Sequence, residues 1–269
     1  MSGLQVAQGL LACPHCGGPL AAHGRAWHCP VGHSFDVAKQ GYLNLAGGPE
    51  PANADTAAML DARARVQDSG LFGFVEQALD DAAGPAEGGT VLEVGAGTGH
   101  YLAGLVERRP TARGLALDVS RAAARRAARA HPRIASVVAD VWRGLPVLDA
   151  AVEVLLCVFA PRNADEFARV LAPTGRVLVV TPSARHLAEL RRDYGLLGIE
   201  LDKHDRLLDT LGARLRHRAS TTHDTVATLQ PAMIDDLIGM GPNAFHAPPP
   251  ARAAERVTLS IRLDVFVKA

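Results

Sequence analysis

The 269-residue chain has no run of 18 apolar residues, so no segment of it reads as a membrane-crossing helix. Its first residues, Met1-Ser-Gly-Leu-Gln-Val-Ala-Gln, lack the charged and apolar stretches of a secretory signal. Cysteine is scarce, at four residues, and three of them fall within positions 13–29 while Cys157 stands alone. That arithmetic excludes a disulfide framework and suits a metal site in a reducing compartment, so the expected location is cytoplasmic. Charge of either sign is not in excess: 28 basic residues balance 28 acidic ones. No global basic field therefore advertises nucleic-acid binding, although a local patch can do the same work. What remains is ordinary for a soluble enzyme, 48% hydrophobic and 21% charged, long enough for one large domain and a small appendage.

Near the start stands Cys13-x2-Cys16-x12-Cys29-x3-His33. Two cysteines two residues apart curl into a turn that presents both thiolates to one ion, and Pro14 and Gly17-Gly18-Pro19 supply the turn chemistry. The second half, Cys29-Pro-Val-Gly-His33, repeats the arrangement, with a small hairpin expected between the halves. Four protein ligands close a tetrahedron, so the ion expected is a structural Zn2+. Its binding would supply folding energy that roughly 35 residues cannot obtain from their own core. His28 and His15 compete with His33 for the fourth position, and a redox reading of Cys13/Cys16 fails because no thioredoxin-like strand precedes them.

From Thr90 onward short apolar segments alternate with helical ones. Strands are expected at Thr90–Val94, Gly114–Asp118, Ile134–Ala139, Val152–Phe159 and Arg176–Thr181, and helices at His100–Arg108, Ser120–Ala130 and Ala164–Leu171. This predicts an α/β fold with a doubly wound parallel sheet. The tail alternates Val257, Leu259, Ile261, Leu263, Val265 and Val267, which predicts an antiparallel closing strand paired near Leu215–Thr222. The organisation expected is a zinc module over 1–46, a linker with a helical lead-in over 47–84, and a catalytic domain over 85–269.

The first strand runs into Val91-Leu-Glu-Val-Gly-Ala-Gly-Thr-Gly99. A dinucleotide fingerprint needs Gly-x-Gly-x-x-Gly, but position 100 is His. Gly95, Gly97 and Gly99 instead suit close backbone approach to a nucleoside with an amino-acid tail, as in the S-adenosylmethionine (SAM) fold, a Rossmann-like architecture. Asp118, at the end of the second strand, is placed for ribose hydroxyls and Asp140, after the third, for the adenine amino group. Glu93 completes a row of carboxylates at successive strand ends. The turn Cys157-Val-Phe-Ala-Pro161-Arg-Asn163 should face the methyl group and its acceptor, with Phe159 either stacking on a base or belonging to the core. Arg121, Arg125, Arg126 and Arg129 are expected on one side of a helix, as a phosphate contact or simply a solvated face.

These residues resemble the bacterial large-subunit rRNA (guanine-N1)-methyltransferases, including their tylosin-resistance relatives. The resemblance covers nearly the whole chain. It rests on Cys-Pro-x-Cys at 13–16, Cys-Pro-x-Gly-His-Ser-Phe-Asp at 29–36 and Ala-Lys-Gln-Gly-Tyr-Leu-Asn-Leu at 38–45. It continues through Ala62-Arg-Ala-Arg-Val-Gln-Asp-Ser-Gly-Leu-Phe72, Phe-Ala-Pro-Arg at 159–162, Thr181-Pro-Ser-Ala-Arg-His-Leu187 and Met240-Gly-Pro-Asn-Ala-Phe245. The resemblance implies a zinc module that helps recognise a hairpin in domain II of 23S rRNA, and methylation of guanine N1 with a bearing on macrolide resistance. It implies SAM contacts at Phe72, Gly97, Thr98 and His186; most members carry Tyr at position 72, so Phe keeps the stacking face without the hydroxyl. Guanine N1 carries a proton that must be accepted, and Asp140, His186 and a backbone carbonyl near Ala160–Arg162 are all candidates. Two other readings compete: a SAM-dependent methyltransferase of a small-molecule acceptor, and a non-catalytic RNA-binding relative. The sequence leaves the oligomeric state open, a dimer included.

Overall fold

A computed structural model describes residues 3–84, 89–198, 202–246, 250–251 and 253–269. The expected domain boundary at residue 85 falls at 85–88, outside the described residues. The strands are β1 (Ala21–His23), β2 (Ala26–His28), β3 (Ser34–Asp36), β4 (Leu43–Asn44), β5 (Gly89–Val94), β6 (Ala112–Asp118), β7 (Ile134–Val138), β8 (Val152–Val158), β9 (Leu171–Pro182), β10 (Leu215–Leu229) and β11 (Glu255–Lys268). The helices are α1 (Ala57–Asp68), α2 (Gly73–Ala83), α3 (His100–Glu107), α4 (Arg121–Ala127), α5 (Ala164–Val170), α6 (Ala188–Tyr194), α7 (Lys203–Gly212) and α8 (Pro231–Gly239). Short 3-10 turns cover Gly3–Ala7, Val141–Arg143 and Pro242–His246.

Among the described residues eight strands form one sheet in the order β10-β11-β9-β8-β5-β6-β7-β4. The run from β9 to β4 is parallel, while β11 lies antiparallel between β9 and β10. Both faces of the central strands are covered, so β5 and β8 are apolar along nearly their whole length. Side chains still alternate between faces. Leu92, Val94, Leu155 and Cys157 join one core cluster, and Val91, Val154, Leu156 and Val158 join the other. After β5 the chain proceeds to β6 on one side and reaches β8 on the other, so the switch of direction lies between β5 and β8. Ligands of open α/β sheets bind outside the carboxyl ends of the strands at such a point.

Several helix starts are specified locally. The side chains of Thr56, Ser120 and Asn163 accept from Met59 N, Ala123 N and Glu166 N, each at 3.3 Å, capping α1, α4 and α5. The second expected helix is shorter than its pattern, ending at Ala127, so Arg129 lies beyond it. Arg126 pairs with Asp61, and Arg133 donates to the carbonyls of Val106, Arg109, Pro110 and Ala112. Of the five arginines at 121, 125, 126, 129 and 133, Arg126 and Arg133 therefore serve the fold.

The zinc module is a three-stranded antiparallel sheet, β1-β2-β3, where two strands were expected. Trp27 of β2, Leu20, Cys13 and Cys29 share one apolar cluster with Val137 of β7 and with Leu145 and Val147 of the segment between β7 and β8. β4, which follows the module, pairs parallel with β7 through Leu43 and Val137. The expected closing strand is β11. Its face at Val257, Leu259, Ile261 and Leu263 is buried as the alternation predicts, but Ser260, Asp264 and Phe266 on the other face are buried too. Leu207 and Leu211 of α7 cover Phe266, so this strand is packed on both sides at its far end.

Candidate active site and metal centre

The ligand atoms of Cys13, Cys16, Cys29 and His33 lie within 4.8 Å of one another. Cys16 Sγ to Cys29 Sγ is 3.6 Å, and His33 Nδ1 lies 3.4 Å from Cys13 Sγ and 3.3 Å from Cys29 Sγ. A tetrahedral zinc with Zn–S of about 2.3 Å and Zn–N of about 2.0 Å requires edges of about 3.8 Å (S···S) and about 3.5 Å (S···N). The cluster fits a closed Zn2+ site with His33 as fourth ligand. His15 stands beside it instead, its ring 5.0 Å from that of His33 and stacked on Phe35. Gly32 at φ +99 is what lets the chain double back from Cys29 to His33.

The second constellation gathers around the loop that follows β5. A Cβ at Gly95 would stand 2.5 Å from the Cβ of Ala160, so this glycine lets the turn after β8 close onto the loop. A Cβ at Gly97 would stand 2.7 Å from Nη1 of Arg63. Thr98 Oγ1 donates to Gln67 Oε1 at 2.7 Å, and Gly99 packs against Ala127 and Ala130. Asp118 accepts from Gly97 N and from Ser120 N, each at 2.8 Å, so it ties the glycine loop to the start of α4. Burial raises the Asp118 carboxyl to about 6 against those two N–H bonds. Glu93 is buried on the face toward α1 and α3, where Oε2 accepts from Leu102 N at 3.2 Å. Burial, opposed by that bond and reinforced by Asp118, lifts it to about 8. Asp140 Oδ1 accepts from Trp142 N at 3.0 Å, capping the turn after β7, and its carboxylate stays partly exposed.

Opposite the loop three rings converge. Phe72 lies 6.4 Å from Phe159 and 6.3 Å from His186, and Phe159 lies 6.1 Å from His186. Phe72 is buried, and Phe159 is 44% exposed. Phe159 also sits at φ +54, a left-handed conformation that costs a non-glycine residue about 1 to 3 kcal/mol and that clusters at ligand sites. Phe159 is therefore not a core residue, and its exposed ring is free for the stacking reading. The His186 imidazole is lowered to about 4, first by burial and then by the charge of Arg191. Ser260 N donates to its Nδ1 at 3.1 Å, which leaves the ring proton of the neutral imidazole on Nε2. Cys157, the lone cysteine, is buried and raised to about 12 by that burial, so it is an inert strand residue.

Sequence reasoning missed α1 as a wall of this site. Arg63 Nη1 binds Asp55 Oδ2 at 2.5 Å, and Nη2 donates to the Met240 carbonyl at 2.7 Å. The guanidinium is thereby fixed against Gly97 within the field of Glu93 and Asp118, whose carboxyls it favours in the charged form. Arg63 and Gln67 are four residues apart and so share a helix face. The recurring block 62–72 had marked the segment, but only the tertiary contact shows its chemistry. Two carboxylates and a guanidinium around a glycine loop suit a zwitterionic amino-acid tail joined to a nucleoside, so the donor set fits SAM.

Two family descriptions match the chain: the zinc ribbon "RlmA, N-terminal" over residues 11–46 and "Methyltransferase domain" over residues 91–180. The 23S rRNA (guanine(748)-N(1))-methyltransferase of Streptomyces fradiae is 43% identical over 267 residues, covering 95% of each chain. A Micromonospora griseorubida protein, provisionally described as a 23S rRNA (guanine-N(1)-)-methyltransferase, is 46% identical, covering 92% of this chain and 90% of its own. In fold, the chain is similar to a SAM-dependent methyltransferase from Aquifex aeolicus, with a TM-score of 0.52 at 16% identity over 78% of this chain and 98% of that one.

Proposed function

Since the chain belongs to the family of 23S rRNA (guanine-N1)-methyltransferases, we propose that it transfers the methyl group of SAM to N1 of a guanine in a domain II hairpin of 23S rRNA. We assign the guanine as position 748, the one named for the Streptomyces fradiae relative. The observation that carries this reading is the ring triangle Phe72–Phe159–His186 facing the glycine loop at the switch point of the sheet.

SAM, when bound, supplies a methyl group already activated by its sulfonium. The chain's contribution is then chiefly positioning, which can lower a barrier by about 7 to 11 kcal/mol where the reacting atoms are held in line. Gly95, Gly97, Thr98 and Gly99 form the cradle. Arg63 would hold the methionine carboxylate, Glu93 would take the charged form beside the ammonium, Asp118 would take the ribose and Asp140 the adenine. Phe72 closes the pocket wall. The target guanine, turned out of its stack, rests on Phe159. The Ser260 N–H on the Nδ1 lone pair, and the hydrogen this leaves on Nε2, argue against His186 as proton acceptor. That same Nε2–H is a donor suited to the O6 of guanine, where negative charge grows as N1 loses its proton. With Asp140 given to the adenine, a carbonyl of the 160–162 turn is left to receive the N1–H as a hydrogen bond, and the proton passes on to solvent water as the N–CH3 bond forms.

The test is incubation of purified protein and SAM with unmodified 23S rRNA, followed by primer extension. Methylation of N1 blocks the pairing edge, so a SAM-dependent stop at guanine 748 is expected. A stop at a neighbouring guanine would overturn the position, and no stop from protein that binds SAM would overturn the RNA acceptor.

A further inference from the structure

The segment after β7 carries the most exposed tryptophan or phenylalanine ring among the described residues. Trp142 is 67% exposed, although large aromatic side chains normally find cover. The ring stands on a fixed base. Asp140 accepts from its backbone N–H at 3.0 Å, and Asn163 Nδ2 donates to the Val141 carbonyl at 2.9 Å, tying this turn to the one after β8. Trp142 lines an open groove of about 380 Å³ together with Arg162, Asn163, Thr210 and Arg214. Arg143, also largely exposed, lies against Gly48 on the segment leaving the zinc module. The groove thus carries the guanidinium groups of Arg162 and Arg214, the carboxylate of Asp165 and a bare indole face, with Arg143 next to that indole in the chain. Arg162 is three residues from Phe159, so no more than roughly 11 Å of chain separates this groove from the proposed guanine pocket.

We propose that Trp142 is a stacking platform for an unpaired base of the RNA next to the methylated guanine, with Arg162, Arg214 and Arg143 contacting the phosphates that flank it. The inference rests on the RNA reading above and adds a specificity surface outside the SAM pocket. Charge and ring chemistry together select the occupant: an exposed indole beside Arg162 and Arg214 matches a base next to its phosphate, which would compete with Asp165 for Arg214 and with Asp140 for Arg143. Asp165 pairs with Arg214 and holds that guanidinium at the rim. The only other tryptophan, Trp27, is buried in the zinc module, so indole fluorescence distinguishes the two.

The experiment uses the full zinc-loaded protein and protein-free 23S rRNA transcript. In the wild type, the transcript should quench the exposed Trp142 emission and shield it from iodide. Trp142→Ala should raise the KM for RNA about 5- to 150-fold, the range a lost base–aromatic stack corresponds to. Its kcat should fall much less and its SAM affinity not at all, and Trp142→Phe should recover most of the loss. Arg214→Gln should lower the slope of log affinity against log salt by up to about 1. An unchanged KM in Trp142→Ala, or an indole that stays open to iodide with RNA bound, overturns the platform while leaving the methyltransferase reading intact. A defect seen only on particles containing ribosomal proteins would replace RNA by protein as the occupant. Failure of the wild type to methylate the transcript would overturn the RNA reading and the platform with it.

Discussion

Glu93 offers the sharpest quantitative check on the site. Its carboxyl is buried, is supported by the single N–H of Leu102 at 3.2 Å and faces the carboxyl of Asp118. Burial therefore dominates and lifts it from 4.5 to about 8. A carboxyl raised on folding binds a proton in the native state that the unfolded chain has released. Between pH 4.5 and 8 the folded form holds the extra proton, so its stability falls as pH rises, by about 1.4 kcal/mol per pH unit. Glu93→Gln keeps the shape and an acceptor for Leu102 N–H but does not titrate. The stability difference between variant and wild type should thus widen by about 2 to 3 kcal/mol from pH 5.5 to 7.5, other titrating groups cancelling in the subtraction. Urea unfolding of both zinc-loaded proteins across that range, without SAM, measures it. A gap that stays constant with pH would mean that Glu93 is ionised in the free protein, and the reasoning would fail.

A cationic ammonium placed beside Glu93 should draw it into the charged form. SAM binding near neutral pH should therefore release up to about one proton and tighten as pH rises toward 8, visible by calorimetry in buffers of different ionisation enthalpy; release of no proton counts against the contact. Arg63→Ala should weaken SAM about 10- to 150-fold, the loss of a charged hydrogen bond, while 5′-methylthioadenosine, which lacks the amino-acid tail, should bind both proteins alike. Equal losses for the two ligands would reduce Arg63 to a support for Met240 and Asp55. His186 should stay neutral with hydrogen on Nε2 from pH 5.5 to 8 by nitrogen NMR, since it is lowered to about 4; a titration near 6.5 would return it to the list of proton acceptors. Cys29→Ala should abolish zinc binding measured by metal analysis, and one zinc per chain retained in that variant would refute the ligand set.

The parts of this architecture that were legible in the sequence are those whose causes are local. Strands β5, β6, β7 and β8 are covered on both faces, which leaves short, largely apolar runs, and β5 and β6 are closed by the turn residue Gly95 and by Asp118. Zinc ligands announce themselves because two turns must each present a ligand pair. Arg63 was not legible for the opposite reason. Nothing within α1 distinguishes it from Arg65, which pairs with Asp236 at 2.5 Å on the outside of the fold. The difference arises only when α1 docks over Gly97. Likewise β11 reads as one-sided until α7 is known to cover Phe266. Tertiary contact, and not propensity, decides both.

That logic bears on the zinc module, which the sequence presents as an appendage. Arg113 of β6 donates to the carbonyls of Val6 and Gln8, and a Cβ at Gly3 would strike the Ile134 carbonyl at 2.4 Å. Ala12 N and Leu45 N donate to Pro146 and Val138 on either side of the module. Entry and exit strands are both sewn to the sheet, and Trp27 and Leu20 lie in the core that β7 also lines. A module held this way keeps a set distance from the carboxyl ends of the strands. Were RNA recognised at the module and methylated at the loop, that fixed offset would do the measuring, its ordering cost met when the chain folds and not each time RNA binds. The turn carrying Trp142 and Arg143 lies along that span, between the module's exit at Gly48 and the pocket at Phe159. A flexible tether would have left the choice of guanine to the catalytic pocket alone, and one purine pocket has little with which to tell one guanine from the next.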